Sequence, residues 1–268
     1  MKIMRNCFKL FVGLTILSAV LTASCAQTGD ARPSPEAAQQ DLILRGYKFD
    51  EPSFFKAITE NDLRGVNAFI VGGINPNANN ANGETALTTA IDRADAKIVK
   101  ALLEAKADVN TPNKLGETPL NLAIIKKKDE VVDLLLSANA DVNALGRDDK
   151  TPLYLAINMG RGDYANKILT RNPNVNTASK YGESPIVAAA LNGDLDTVQE
   201  LIKRGANVNQ QSESGGTALI YAAAAGYAEI TQELLKAGAK RDLKTPKGLT
   251  ALDYARKNNQ PEIVKILK

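Results

Sequence analysis

The chain has 268 residues, 44% of them hydrophobic but only 5% aromatic, with no Trp and no His. That excludes histidine-based catalysis and suits aliphatic helices better than an aromatic-centred β-fold. The formal charge of +3 reflects Lys2, Arg5 and Lys9 at the start, and the rest has 30 basic and 30 acidic side chains, so nothing electrostatic argues for nucleic acid or an anionic membrane surface.

After the positive start, Phe8 to Thr22 runs apolar but is shorter than the roughly 20 residues that span a bilayer. Residues 1–24 therefore read as a signal peptide, not as part of a fold. The run ends in Leu21-Thr22-Ala23-Ser24-Cys25. Small residues ahead of a cysteine at such a place resemble the bacterial lipobox. That resemblance implies that Cys25 is lipid-modified, as by palmitate, and becomes the mature N-terminus. Leu21 stands four residues before the cysteine, with Thr22 where the motif usually has Leu, and the alternative is an ordinary signal peptide cut near Ala26. Cys7 leaves with the leader, so Cys25 would be a lone cysteine unable to form an internal disulfide, and acylation accounts for it. Two or more acyl chains hold a protein stably at a membrane where one does not.

Residues 25–50 read as the lipidated N-terminus and a flexible tether. Gln27 to Pro35 has turn formers without apolar periodicity. About 20 flexible residues reach roughly 25 Å, enough to lift a domain off the lipid headgroups.

From residue 51 the chain repeats itself. Hydroxyl residues recur at Thr85, Thr118, Thr151, Ser184, Thr217 and Thr250, every gap being 33 residues. Five residues after each lies an alanine, from Ala90 to Ala255. Asn77, Asn110, Asn143, Asn176, Asn209 and Asp242 keep the same period. The hydroxyl can cap a helix and a following Pro suits its first turn, while the apolar residue and the alanine share one face of that helix. A second helix follows, as in Val131 to Leu136 and Val198 to Ile202. Gly205 and Gly238 end two of these, Asn139 and Asn172 can do so, and Lys106 fits that place poorly.

These residues resemble the ankyrin-repeat family, whose 33-residue period and Thr-Pro-Leu-His-x-Ala signature they follow over residues 51–268. The resemblance implies an all-α solenoid of about seven stacked units, two of them caps, each a β-hairpin plus a helix–turn–helix. The family's histidine is replaced by Thr88, Asn121, Tyr154, Val187, Ile220 and Asp253. Asp149 replaces a turn glycine and Pro173 interrupts Gly-Ala-Asp, so the fourth unit departs most. The first unit is degenerate, with Pro52 in the cap position.

The sequence offers no catalytic or metal-ligating constellation and implies no cofactor, and no Gly-rich loop has the Lys-Ser/Thr ending that cradles phosphate. Carboxylate pairs such as Glu130/Asp133 suit solvated helix faces. Arg161-Gly162-Asp163 is a tripeptide associated with integrin binding, but the repeat itself wants Gly160 and a polar turn there. Lys126-Lys127-Lys128 occupies the equivalent turn of the third unit.

Such proteins normally grip a protein partner with hairpin tips and outward positions of the first helix. In phase, the tips offer Lys114, Leu115, Arg147, Lys180 and Tyr181; the helices offer Ile125, Lys126, Met159, Leu191 and Asn192. Apolar residues thus gather on units three to five, whereas the outer units offer Asp92, Lys257 and Asn258. The chain reads as a non-enzymatic interaction module, lipid-anchored on the extracytoplasmic side of a bacterial envelope, binding a protein and no nucleic acid. Ala26 after the cysteine resembles outer-membrane sorting in enterobacteria. A scaffold shielding an exported enzyme, or an exported effector acting in a host cell, are the rival readings.

Overall fold

The computed structural model describes residues 33–268, so the leader and Cys25 lie outside the described residues. Fourteen helices form seven antiparallel pairs: α2 (Glu51–Thr59) and α3 (Leu63–Val71), α4 (Ala86–Arg93) and α5 (Ala96–Glu104), α6 (Pro119–Ile125) and α7 (Asp129–Ser137), α8 (Pro152–Asn158) and α9 (Gly162–Leu169), α10 (Pro185–Asn192) and α11 (Leu195–Lys203), α12 (Ala218–Ala225) and α13 (Ala228–Lys236), α14 (Ala251–Lys257) and α15 (Pro261–Leu267). Each first helix packs on its own second helix and on the first helix of the next unit.

The periodic residues do the work the period suggested. The hydroxyls of Thr85, Thr118, Thr151, Thr217 and Thr250 accept from the backbone N–H three residues on, at 3.1–3.3 Å. Such a cap contributes about 1 kcal/mol. Ser184 stands at the same place without that bond, and its hydroxyl is buried without a partner. The six alanines from Ala90 to Ala255 are fully buried where neighbouring first helices meet, and Leu87, Leu120, Leu153, Ile186 and Leu219 are buried beside them. Full burial of one such aliphatic side chain contributes about 1.5–3 kcal/mol.

The periodic asparagines staple unit to unit. The side-chain oxygens of Asn77, Asn110, Asn143, Asn176 and Asn209 accept from the backbone N–H of Asp108, Asp141, Asn174, Asn207 and Lys240, at 2.7–2.9 Å. Each partner lies 31 residues downstream, so one side chain fixes the spacing of two units. The amides of Asn176 and Asn209 also donate to the carbonyls of Gly205 and Gly238, at 3.1 Å each.

Three expectations need correction. Part of the stretch read as a flexible tether is helical: α1 (Pro35–Leu44) starts at a Ser34 cap and packs on α3, with Ala38 and Leu42 buried. Two contact residues are too few to show as a periodicity, and Ile43 and Leu44 on the outward side blur it. The first unit is capped by Asp50, whose carboxylate accepts from the Ser53 N–H at 2.9 Å, not by Pro52, which lies inside the first turn. Among the described residues the expected β-hairpins are tight turns, with a single antiparallel bridge between Asn79 and Thr85.

The fourth unit departs as its sequence implied. A 3-10 turn (Arg147–Asp149) replaces the usual tip, with Asp148 and Asp149 both left-handed at φ 58° and 56°. Side chains on this backbone cost roughly 1–2 kcal/mol per residue relative to glycine. Its second helix, α9, packs less against the second helices on either side than the others do. Polar ties compensate: Lys167 pairs with Asp133 at 2.6 Å, and the Tyr164 hydroxyl donates to Asp129.

Candidate interaction surface

The tips stand out from the stack. Leu115 is 58% exposed and Tyr181 44%, with Lys114, Arg147 and Lys180 exposed beside them. Two backbone bonds align successive tips, Lys180 N–H to Asp148 O at 2.8 Å and Glu213 N–H to Tyr181 O at 2.9 Å. They bring Arg147 of the fourth tip into one row with Lys180 and Tyr181 of the fifth, with Glu213 of the sixth tip next in line. Leu145, 49% exposed just before the fourth tip, extends the apolar part and was missed by counting in phase.

The helix-end positions divide. Leu191 is 49% exposed at the end of α10. Ile125 and Met159 are half-buried against the core instead of standing free. Lys126 is ion-paired with Asp92 of the preceding unit, and the Asn192 amide donates to the Ile157 carbonyl at 2.6 Å. Four of the ten positions are therefore partly or wholly engaged within the stack.

The inner wall of units three to five is closed by its own polar groups. Asn121 is fully buried and donates to the Lys150 carbonyl at 2.9 Å. The neighbouring backbone at Gly146 leaves no room for a side chain, since a Cβ there would lie 2.1 Å from the Asn121 amide. Burial pushes the adjacent Glu117 carboxyl above the usual carboxylate range. The buried Tyr154 hydroxyl donates to Glu183, and burial together with that carboxylate drives the phenol well above its ordinary range.

Units six and seven are different. A cleft of about 500 Å³ opens between them, walled by Ile220, Tyr221, Ala224, Pro246 and Tyr254, with Lys247 and Lys257 at its rim. The sequence signal was present: Tyr221 and Tyr254 are 33 residues apart, where the earlier units have Thr89, Leu122, Leu155 and Ala188. Lys257 and Asn258, set aside as outer-unit positions, line this cleft.

The Arg161-Gly162-Asp163 segment is engaged. The Arg161 guanidinium bonds Asp129 at 2.6 Å and Asp163 at 2.7 Å, and lies 3.7 Å from the centre of the Tyr164 ring. Hydrogen bonds from Tyr164 and Arg161 hold the Asp129 carboxyl below its ordinary range, and Arg161 does the same for Asp163. Among the described residues no group of three or more His, Cys, Asp or Glu side chains could hold a metal ion, and no helix is long and apolar enough to cross a membrane.

A family model described as ankyrin repeats matches the chain three times, over residues 54–146, 143–212 and 186–268. Among solved structures, the chain is similar to the crystal structure of the ankyrin repeat domain of Bcl-3, described there as a unique member of the IkappaB protein family. The two are 27% identical, with a TM-score of 0.66, over 81% of this chain and 98% of that one. No curated protein sequence matches the chain.

Proposed function

The chain belongs to the ankyrin-repeat family, whose repeats are in general protein–protein interaction modules, and from that premise we propose that it is a non-catalytic, membrane-anchored holder of a protein partner. The observation that carries the reading is the run of exposed apolar side chains on consecutive units, Leu115, Leu145, Tyr181 and Leu191, set on a stack whose structural apolar positions are already buried. A fold that satisfies its core without these side chains has no stability reason to expose them, and apolar side chains gathered on one surface favour an interaction site. The tips and first helices form the holding side, and the second helices form the back.

In this reading Cys25 carries the lipid that keeps the domain at the extracytoplasmic face of an envelope membrane, outer membrane ahead of inner. In this reading residues 26–34 separate the lipid from the start of α1, a span of at most about 30 Å. The partner is therefore met close to the membrane.

The test is Cys25→Ala in cells fed radioactive palmitate. The native protein should pellet with membranes and carry label; the variant should appear in soluble fractions without it. A variant that still pellets and still takes up label overturns the anchor. An unlabelled native protein released from the cell favours the effector reading.

A further inference from the structure

We propose that the cleft between units six and seven seats an acidic, apolar peptide segment of the partner, with a carboxylate held by Lys247 and Lys257 and the adjoining apolar side chain laid against Tyr221 and Tyr254. This rests on the reading of the chain as a protein holder and names the chemistry it holds.

Three independent features of the cleft point the same way. The first is the wall. Only units six and seven place an aromatic ring at this register, and they do so consecutively, so the two rings flank one cleft. Buried tyrosine faces are common anchors at protein interfaces, because they offer large apolar area with little rotamer entropy to lose.

The second is the clearance made for Tyr221. A Cβ on Gly216 would lie 2.5 Å from the Tyr221 ring, so a side chain there would push the ring out of its place. The Gly216 backbone is not left-handed, so space, not conformation, is what requires glycine there. In phase with Gly216 the earlier units carry Glu84, Glu117, Lys150 and Glu183. Glu183 accepts from the Tyr154 hydroxyl, whereas the Tyr221 hydroxyl hydrogen-bonds no carboxylate and pairs with the Ser214 hydroxyl, at 3.1 Å. The acidic side chain that closes the wall one unit earlier is missing here.

The third is charge. None of the eleven residues lining the cleft is acidic, and two are lysines. Among the described residues neither Lys247 nor Lys257 forms an ion pair. Asp253, which lies in the same helix as Lys257, is committed to the Thr250 N–H and hydroxyl and lies 3.9 Å from Arg256. Residues 205–268 hold nine basic and six acidic side chains, so this end of the chain is net positive. An acidic segment would be steered there and would meet no carboxylate among the lining residues, the nearest tip carboxylate, Glu213, lying outside them. The cleft lies next to the exposed row, since Glu213, beside the lining residue Ser214, donates its N–H to the Tyr181 carbonyl at 2.9 Å. A bound segment can therefore run from the cleft toward Tyr181.

Fluorescence polarisation with the purified mature chain tests this, using two dye-labelled octapeptides, one alternating glutamate with leucine and the other lysine with leucine. The acidic peptide should bind saturably and the basic one should not. Lys247→Glu with Lys257→Glu should weaken the acidic peptide at least about tenfold. Tyr221→Ala with Tyr254→Ala should do the same, with the thermal midpoint followed to separate lost binding from lost fold. The exposed lysines cannot unfold the stack, so the charge reversal decides where the tyrosine variant does not. Lys203→Glu, on the second helix α11, should change nothing. Equal binding of both peptides, no binding of the acidic one at millimolar concentration, or indifference to the charge reversal overturns the cleft. Partner crosslinking that persists at Tyr181 and Leu191 in any of those cases would leave the protein-holding reading standing.

Discussion

Units three to five and units six and seven share one repeat frame but treat their inner walls in opposite ways. In the first group Asn121 and Tyr154 turn inward and are answered by the Lys150 carbonyl and by Glu183. In the second, Tyr221 and Tyr254 occupy a neighbouring register, no carboxylate answers them, and the wall opens into a cleft. The same frame thus makes a polar side chain structural or available according to whether the next unit supplies its partner. The closed wall answers the Asn121 amide N–H and the Tyr154 hydroxyl internally, though it leaves the Asn121 side-chain oxygen and one Glu117 oxygen buried without partners. An exposed lysine or partly exposed tyrosine can instead wait for a ligand. The outward apolar residues follow a different rule: they sit at or beside the tips and at a helix end of the closed units, so the closed wall carries its exposed apolar surface at its edges.

The comparison is broken most forcefully at the middle of the stack. Leu153 is fully buried in unit four, and Leu153→Ala should cost about 2–5 kcal/mol. Since α9 leans less on its neighbours than other second helices do, the loss should split thermal or urea unfolding into two transitions. A single transition at an unchanged midpoint would show that unit four is not a structural joint.

Removing one hydroxyl from each wall sharpens the contrast. Tyr154→Phe strips Glu183 of its buried donor and should cost about 1.5–3 kcal/mol. Tyr221→Phe removes a contact with an exposed serine hydroxyl and should cost less than about 0.5 kcal/mol. Equal costs in denaturant melts would erase the distinction between closed and open walls.

The smallest effect concerns pH. Asp129 and Asp163 are both held below the ordinary aspartate range, Asp129 by hydrogen bonds from Tyr164 and Arg161, Asp163 by Arg161. A depressed folded-state value means that their stabilisation is complete above the unfolded value near 4 and is lost as the pH falls through the lower folded value. Arg161→Ala should move both carboxyl resonances back up in an NMR titration and flatten that part of the acid limb. Unmoved resonances would mean that Arg161 is free for another partner after all.

What the sequence made legible was whatever repeats. Caps, core leucines, alanines and the irregular fourth tip could be placed by phase, because each acts within its own unit. The asparagine series was visible only as a period, since its bonding partner is a backbone N–H 31 residues away with no side-chain signature. Phase also gives the side of a helix and not its depth, which is why Ile125 and Met159 looked free and are half-buried. Helix α1 was obscured because it makes contact through only two buried side chains. The cleft was overlooked for a related reason: its signal lies in a missing side chain at Gly216 and in two tyrosines that look like ordinary variation until the ring and the gap are seen together.

In the proposed function the tips and first helices hold a protein and the second helices do not. Site-specific photocrosslinking in living cells tests it most directly, with a benzophenone amino acid placed in turn at Tyr181, Tyr254 and Lys203 of the otherwise native protein. Adducts of one discrete mass should form at Tyr181 and at Tyr254, compete with the acidic octapeptide at Tyr254, and be absent at Lys203. Adducts at Lys203 with none at the other two positions would contradict the account and move the partner to the back of the stack.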